Sequence, residues 1–136
     1  MPVESDEEVR AVFDLEAIAV VGCSSTPGKA AHEIPRYLQD VGYEVIPVNP
    51  NAEEVLGRPA YDSLSEVEET VDVVDVFRPS EEVADVVDEV IAREDVDVVW
   101  LQLGIHDDEA VSRAETDGRK VVQDRCMKPE HRRLVA

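Results

Sequence analysis

The residues best suited to chemistry lie in the segment VVGCSSTPGKAAHE, residues 20–33, which joins an apolar run to a segment with helical periodicity. Gly22 lets the backbone turn sharply and lets a ligand approach closely, while Ser24 and Ser25 offer hydroxyl groups. A helix that begins after Lys29 directs its free N–H groups to the same place, and the lysine adds a positive charge. Phosphate oxygens accept hydrogen bonds from groups of these kinds, so the segment predicts a phosphate-binding loop.

This loop differs from both common phosphate-binding motifs. Five residues separate Gly22 from Gly28, where G-x-x-x-x-G-K-[ST] has four, and Ala30 stands where that motif has Ser or Thr. Ser24 replaces the second glycine of G-x-G-x-x-G. Residues 17–32 contain no Asp or Glu, although the whole chain has 32. Because acids normally stabilise the first turn of a helix, their absence predicts that an anionic ligand takes that position.

Polar or rigid residues also follow the other apolar runs. Asn49 and Pro50 end the run YEVIPVNP, where an NAD-binding domain normally places an Asp or Glu for the ribose hydroxyls. Their presence argues against a nicotinamide dinucleotide. Phe77 and Arg78 end VDVVDVFR and offer an apolar ring and a cation, which suit a purine and a phosphate, although a Phe at this position also suits a buried core.

The sequence contains no arrangement typical of a catalytic or metal site. His32, His106 and His131 are scattered, and no serine lies in G-x-S-x-G. Cys23 and Cys126 are too far apart for a C-x-x-C zinc site. Either thiol is a small buried residue or, near a helix N-terminus, a reactive group. We therefore predict no catalytic residue and no metal ligand.

The charge of the chain excludes some partners. It has 136 residues, a formal net charge of −19 and a pI near 4.3, which disfavour nucleic acid and anionic membranes. Acidity with few lysines indicates a protein from a high-salt cytoplasm, such as that of a halophilic archaeon, or else an ordinary acidic protein. With no long apolar run and no basic leader, we expect a cytoplasmic protein of one domain, residues 1–136 with a core of about 15–126.

The elements that must position these residues follow from hydrophobic periodicity. Short runs rich in Val and Ile predict buried strands over 17–22, 43–49, 71–77, 96–104 and 120–124. Helical spacing predicts helices over 30–41, 80–93 with Ser80 as N-cap, and 107–117, with short helices over 6–14 and after Pro129. Residues 50–70 form the longest irregular connection, with a weak helical patch at 52–56.

Strands that alternate with helices imply right-handed crossovers. The pattern therefore predicts an α/β protein with a Rossmann-like, doubly wound sheet of about five parallel strands in the order 3-2-1-4-5, with helices on both faces. Ligands of such sheets bind beyond the carboxyl ends of the strands, at the point where the strand order reverses. The loop at Gly22 and the residues that end the other strands are expected to meet there.

Several of these segments together resemble a known family. VVGCSSTPGK, YLQDVGYEVIPVNPNAEEVLGRPAYDSL, VDVVDVFRPSEEV, VVWLQLGIHDDEA and VVQDRC are similar, in order and spacing, to segments of the small stand-alone CoA-binding proteins. The fold of that family is similar to the CoA-binding N-terminal domain of the succinyl-CoA synthetase α subunit. The resemblance runs from about Leu15 to Cys126.

The resemblance implies a domain that binds coenzyme A with the phosphates on the first loop. By position, it implies binding roles in that loop, in the turn after the second strand, beside the nucleotide, and on the far side near the pantetheine arm. In the first loop these residues are Gly22, Cys23, Ser24, Ser25 and Lys29, and in the turn after the second strand they are Asn49 and Pro50. Those expected beside the nucleotide are Phe77, Arg78 and Pro79, and those expected on the far side are Gln102 and Gly104. Cys23 departs from the Ala that is commoner in the family.

Synthetase relatives carry their ligase chemistry in other domains, so binding can occur here without catalysis. We expect a non-catalytic module for CoA or an acyl-CoA that acts as a carrier, sensor or regulator, as a homodimer or with another protein. Three alternatives stay open at this stage. They are a switch that senses NAD(P) or a nucleotide, an enzyme that uses Cys23 as an acyl acceptor, and a pure interaction subunit.

Overall fold

The structure, a computed structural model, describes residues 2–135. Within them, five parallel strands form one sheet, and a two-stranded hairpin lies beside it. The strands are β1 (Ala17–Val21), β2 (Glu44–Val48), β3 (Glu54–Val55), β4 (Arg58–Pro59), β5 (Val73–Val76), β6 (Val98–Leu101) and β7 (Lys120–Val122). The helices are α1 (Asp6–Val12), α2 (Ala30–Asp40), α3 (Val83–Ile91), α4 (Asp108–Thr116) and α5 (Met127–Leu134).

The Val-rich strands are buried on both faces, as their continuous apolar runs predict. Every residue of β1, β5 and β6 is buried. Helices α1, α2 and α5 cover one face of the sheet, around Trp100, and α3 and α4 cover the other. The apolar stripe of α3 packs onto the second face, as its helical spacing predicts. The predicted α/β fold, with parallel strands and helices on both faces, is confirmed.

The predicted strand order 3-2-1-4-5 is wrong. The observed order is β2-β1-β5-β6-β7, which places the third strand of the sheet beside the first and leaves the second at the edge. One contact that supports this pairing is the Asp72 carboxylate, which accepts hydrogen bonds from the backbone N–H of Glu16 (3.2 Å) and Ala17 (3.0 Å) at the start of β1. Hydrophobic periodicity identifies strands but carries no information about such neighbours. The strand order therefore reverses between β1 and β5.

The connection between β2 and β5 has more structure than the sequence predicts. Instead of a helical patch at 52–56, β3 and β4 form an antiparallel hairpin. Leu56 (φ 54°) and Gly57 (φ 78°) form its turn, and two consecutive positive φ angles are typical of tight hairpin turns and incompatible with a helix. A short 3-10 helix, Leu64–Glu66, follows and buries Leu64 against the face that carries α3.

Two helix boundaries also differ from the prediction. Ser80 does not cap α3, because Ser80–Glu82 form a 3-10 turn and the Ser80 hydroxyl accepts a hydrogen bond from the backbone N–H of His106 (3.1 Å). Helix α5 begins at Met127 and not after Pro129. Proline fits the first turn of a helix because the N–H groups there have no intrahelical acceptor. None of the helices in residues 2–135 has the length and apolar character needed to span a membrane.

Arg93 fixes the long connection to the end of α3. Its guanidinium donates hydrogen bonds to the backbone carbonyls of Leu64 (3.1 Å), Val67 (2.8 Å) and Glu69 (3.0 Å). It also pairs with the carboxylate of Asp95 at 2.8 Å. One planar side chain thus satisfies three carbonyls of a segment that lies largely outside regular secondary structure.

We expect Arg93→Lys to lower the free energy of unfolding by about 2 kcal/mol, because a lysine keeps the charge but loses the fork that serves several acceptors. Urea denaturation measures this loss. Arg36→Lys is the matched control, since Arg36 is exposed on α2 and lies 4.0 Å from Glu33. Equal losses in the two variants would contradict the role assigned to Arg93.

Candidate functional site

A cleft of about 190 Å³ opens at the carboxyl ends of β1 and β2, beside the point where the strand order reverses. One wall is backbone and proline from the ends of these strands, and the other is Arg78 with the first turns of α3. The lining residues include Val21, Gly22, Val48, Asn49, Pro50, Leu64, Arg78, Glu82, Asp85, Val86 and Glu89. The cleft is therefore at the place where sheets of this kind bind ligands.

Gly22 allows β1 and β5 to end close together. Its φ is +89°, and a Cβ added there would lie 2.8 Å from Cδ of Arg78 and 3.3 Å from the backbone carbonyl carbon and oxygen of Phe77. The Gly22 N–H donates to the carbonyl of Val48 at 2.9 Å. A side chain at this position would crowd Arg78 and the backbone of Phe77 in a conformation that L residues rarely adopt, so glycine is strongly favoured here.

The loop that follows, residues 22–29, is held by Asn49. The Asn49 side chain donates from Nδ2 to the carbonyl of Cys23 (2.8 Å), and its Oδ1 accepts from the N–H of Asn51 (2.8 Å). An Asp could accept the second bond but could not donate the first. The amide thus explains why an acid is absent here, and Pro50 lies exposed beside it.

The first loop, residues 22–29, presents donors to solvent at the start of α2. Lys29 is exposed and makes no ion pair with any residue from 2 to 135. The N–H groups of Ser25, Ala30 and Ala31 likewise have no acceptor within the described chain. The Ser24 hydroxyl accepts from Thr26 N–H (3.0 Å), which shapes the loop. An exposed ammonium and three N–H groups without an acceptor in the described chain therefore lie in the same short segment, residues 25–31.

The first turn of α2 contains an acid, Glu33, directly after the acid-free residues 17–32. The expectation that this turn lacks acids is therefore wrong. Glu33 lies in that turn and accepts from His32 Nδ1 (2.8 Å) and from the N–H of Gly28 (3.3 Å). The hydrogen bond from His32, followed by that from Gly28, lowers the pKa of the Glu33 carboxyl. Glu33 thus serves one donor of the first loop and leaves those near Lys29 available.

Phe77 and Arg78 do not form the predicted ring and cation pair. Successive residues of an extended chain point to opposite faces, and Phe77 packs among the residues under α2 and α5, while Arg78 lies across Gly22 in the cleft. Arg78 is paired with Glu82, at 2.9 Å from Nη2 and 3.2 Å from Nε. Pro79 is exposed where the 3-10 turn begins.

Gln102 and Gly104 separate in the structure. Gly104 (φ +84°) is exposed at the far side, and its N–H donates to the Asp124 carboxylate at 2.6 Å. The side chain of Gln102 is only 4% exposed, so it lies beneath the rim and not on it. Its Nε2 donates to Oδ1 of Asp75, which is fully buried, and burial raises the pKa of the Asp75 carboxyl to about 7.

Comparison with known proteins identifies the family. Residues 16–132 match the family described as a CoA binding domain. The chain belongs to this family. The YneT protein of Bacillus subtilis, described as uncharacterized, is 42% identical to this CoA-binding domain over 114 residues, which is 84% of each chain.

Solved structures are similar as well. A hypothetical protein from Pyrococcus horikoshii superposes on the CoA-binding domain with a TM-score of 0.93 and 36% identity, over 100% of this chain and 97% of that one. Acetyl-coenzyme A synthetase 1 from Ca. Korarchaeum cryptofilum, solved with phosphate and ADP, gives 0.74 and 30% identity. The match covers 85% of this chain but 27% of the synthetase, so the domain corresponds to about a quarter of that protein.

The two cysteines of the domain are not activated. Cys23 is fully buried, and burial, followed by the nearby Asp75 carboxylate, raises the pKa of its thiol to about 12. Burial also raises the pKa of the half-buried Cys126. Cys23 is the small buried turn residue that the sequence allows, and the alternative of an acyl acceptor is disfavoured. Within residues 2–135, no cluster of His, Cys, Asp or Glu could hold a metal ion.

The buried carboxyl of Asp75 is the feature that sequence reasoning missed. The run VDVVDVF predicts a strand buried on both faces, and an acid in the middle of such a strand must be buried too. The sequence pattern therefore did contain a signal for a buried acid at Asp75. Asp75 lies in register with Val20 of β1 and Trp100 of β6, in the interior of the sheet.

We expect Gly22→Ala to lower the free energy of unfolding by about 2 to 3 kcal/mol, from the positive φ and the contact with Phe77 backbone. Gly28→Ala is the matched control in the same loop. Gly28 also has a positive φ, +93°, but a Cβ there meets nothing within 4 Å. The Gly28→Ala substitution should lower the free energy of unfolding by about 1 kcal/mol. Thermal or urea unfolding of both variants measures the difference, and a Gly28→Ala loss as large as that of Gly22→Ala would refute the close-approach explanation.

Proposed function

We propose that this protein binds coenzyme A, free or acylated, at the first loop and the adjoining cleft, as a non-catalytic carrier, sensor or regulatory module. The observation that carries the proposal is the group of unsatisfied donors at the start of α2. The Lys29 ammonium and the N–H groups of Ser25, Ala30 and Ala31 have no acceptor within residues 2–135. Such donors at a helix N-terminus suit phosphate.

The phosphates of the ligand lie on the first loop in this proposal. The hydrogen bond from Asn49 to the carbonyl of Cys23 restrains the conformation of the loop. A fixed loop reduces the entropy lost on binding. Its motif lacks the Ser or Thr that holds Mg²⁺ in nucleotide-hydrolysing loops, which supports a phosphate ligand bound without a metal.

The cleft beside the loop suits the adenosine part. Its lining includes four acidic residues, Asp62, Glu82, Asp85 and Glu89, and carboxylates repel phosphate but accept hydrogen bonds from an amino group or a ribose hydroxyl. The volume of about 190 Å³ is below the usual range for a whole ligand, so only part of a CoA fits there. The remaining pantetheine arm would follow the open rim toward Leu103, which is 70% exposed, and Gly104.

Two observations favour CoA over the alternatives. Asn49 is held against the backbone through both its amide nitrogen and its amide oxygen, and residues 49–51 contain no acid of the kind that NAD-binding domains use for the ribose hydroxyls. The Cys23 thiol is buried and neutral, which argues against acyl transfer through it. The family membership supports a CoA ligand independently.

Calorimetric titration with CoA, acetyl-CoA, NAD⁺ and ATP tests the proposal. The formal charge of −19 favours measurement in molar KCl, where screening reduces self-repulsion. We expect heat of binding for CoA or acetyl-CoA and weaker heat or none for the other two. Clear binding of NAD⁺ without binding of either CoA species would refute the proposal.

We expect Lys29→Ala to weaken CoA binding by about 1 to 2 kcal/mol, the scale of one charge-assisted hydrogen bond. Lys120→Ala is the matched control, because Lys120 is also exposed but begins β7 at the opposite edge of the sheet. The affinities of both variants are measured by the same titration. A similar loss in both would indicate a general effect of net charge and not a contact with phosphate.

A further inference from the structure

Asp75 and Gln102 form a buried polar pair that is incompletely satisfied as a carboxylate and an amide. Gln102 Nε2 donates to Asp75 Oδ1. The other oxygens of the pair, Asp75 Oδ2 and Gln102 Oε1, are buried and have no hydrogen-bond partner within residues 2–135. Buried acceptors without donors are unfavourable and rare in folded proteins. The two unpartnered atoms belong to the same two side chains that are already in contact.

One proton on Asp75 accounts for both atoms. A neutral carboxylic acid donates from its O–H and accepts at its carbonyl oxygen, while a primary amide does the reverse. The two groups can therefore make a cyclic pair, in which Gln102 donates to Oδ1 and protonated Oδ2 donates to Gln102 Oε1. Burial raises the pKa of the Asp75 carboxyl to about 7, which agrees with a proton held in this place.

The surroundings of Asp75 offer no charge that would replace the proton. The titratable groups that interact with it are Cys23, from the first loop, and Cys126, from the start of α5. Burial raises the pKa of both thiols, so both are neutral. No Lys or Arg among residues 2–135 contributes to the pKa of Asp75, and its strand neighbours in β1 and β6 are Val20 and Trp100.

Asp75 also lies beneath the first loop. It pairs with Val20, near the end of β1, and interacts electrostatically with Cys23, the second residue of the loop. The carbonyl of Cys23 is the group held by Asn49. A charge that appears on Asp75 therefore appears beneath the backbone that presents donors to an anion.

We propose that the proton held between Asp75 and Gln102 controls anion affinity at the first loop: the neutral pair supports binding, and release of the proton places a negative charge beneath the loop and weakens it. This inference rests on the proposed function, because the anion it concerns is CoA. It implies that the affinity of the same site for its ligand depends on pH.

The sign of the effect follows from the two states of Asp75. The ordinary pKa of an Asp side chain is 3.8, and that of folded Asp75 is about 7. The folded protein holds this proton more tightly, so the contribution of Asp75 to stability falls as pH rises from about 4 to about 7 and changes little above that range. Because a bound anion favours the neutral pair, CoA affinity also falls as pH rises through 7, and binding near this pH takes up protons.

Asp75→Asn tests the inference, since the Asn amide can donate to Gln102 Oε1 and accept from Gln102 Nε2 at every pH. The matched control is Asp97→Asn, which removes the same charge from an exposed residue just before β6, at the amino end of that strand and away from the carboxyl ends that carry the site. CoA titrations at pH 6 and pH 8.5 are compared for the three proteins. The phosphates of CoA itself titrate equally in all of them, so only differences between proteins are interpreted.

We expect the affinity of the wild-type protein to fall by about fivefold more than that of Asp75→Asn over this pH range, the scale of one charge acting on a nearby anion. Asp97→Asn should follow the wild type. Equal pH dependence in wild type and Asp75→Asn would overturn the coupling. Absence of CoA binding in all three proteins at both pH values would overturn the proposed function and the coupling together.

A second measurement without ligand decides whether the pair holds a proton. The urea midpoints of the wild type and of Asp97→Asn should be lower at pH 8.5 than at pH 5.5. The decrease should be smaller for Asp75→Asn. If Asp75→Asn does not fold, ¹³C NMR of the wild-type carboxyl groups replaces it, and one Asp should titrate near pH 7. A wild-type protein in which every Asp titrates below pH 5 would refute the pair. The result is independent of CoA, so failure of the pair and failure of the proposed function can be distinguished.

Discussion

The pairing of β5 with β1 is the constraint on which the site depends. It brings Arg78 across Gly22, and it places Asp75 beside Val20 and beneath the first loop. Had β5 been at the outer side of β2, neither contact could form, and the strand order would reverse elsewhere. The pairing in turn requires the chain to cross from β2 to the far side of β1, which is the path of the long connection held by Arg93.

Most of the fold could be predicted from the sequence because burial on both faces leaves a strong pattern. The runs that form β1, β5 and β6 contain few polar residues, and the stripe of α3 has a period that fits only a helix facing a sheet. Strand order could not be predicted in the same way. It depends on a few contacts between distant residues, such as Asp72 with the N–H groups that begin β1, and periodicity does not record them.

The places of the candidate residues in the structure could be predicted where they depend on local features, but not where they depend on the direction of a side chain. Gly22 and Lys29 have the predicted places, because a sharp turn and a helix start are local features. Phe77 is expected beside the nucleotide and Gln102 on the far side of the ligand, but both side chains point into the layer beneath α2 and α5. The direction of a side chain at the end of a strand depends on register, and a shift of one residue reverses it. Asn49 lies where predicted, but its role as a clamp on Cys23 follows only from the three-dimensional path of the loop.

In the proposed complex, a strongly acidic chain holds an anion with few unpaired cations at the site, and existing ion pairs limit which of them can act. Arg78 is already paired with Glu82, so a phosphate at Arg78 would replace one anionic partner with another, and the net gain would be small. A phosphate bound to Lys29 and to the N–H groups at the start of α2 would displace water and not a carboxylate. Each new hydrogen bond there would therefore add its full net contribution to the free energy of binding. Glu33 does not compete with them, because its carboxylate is turned to His32 and Gly28. In the proposed complex, the affinity of the first loop for an anion therefore depends on Lys29 and the N–H groups at the start of α2 more than on Arg78, which lines the cleft.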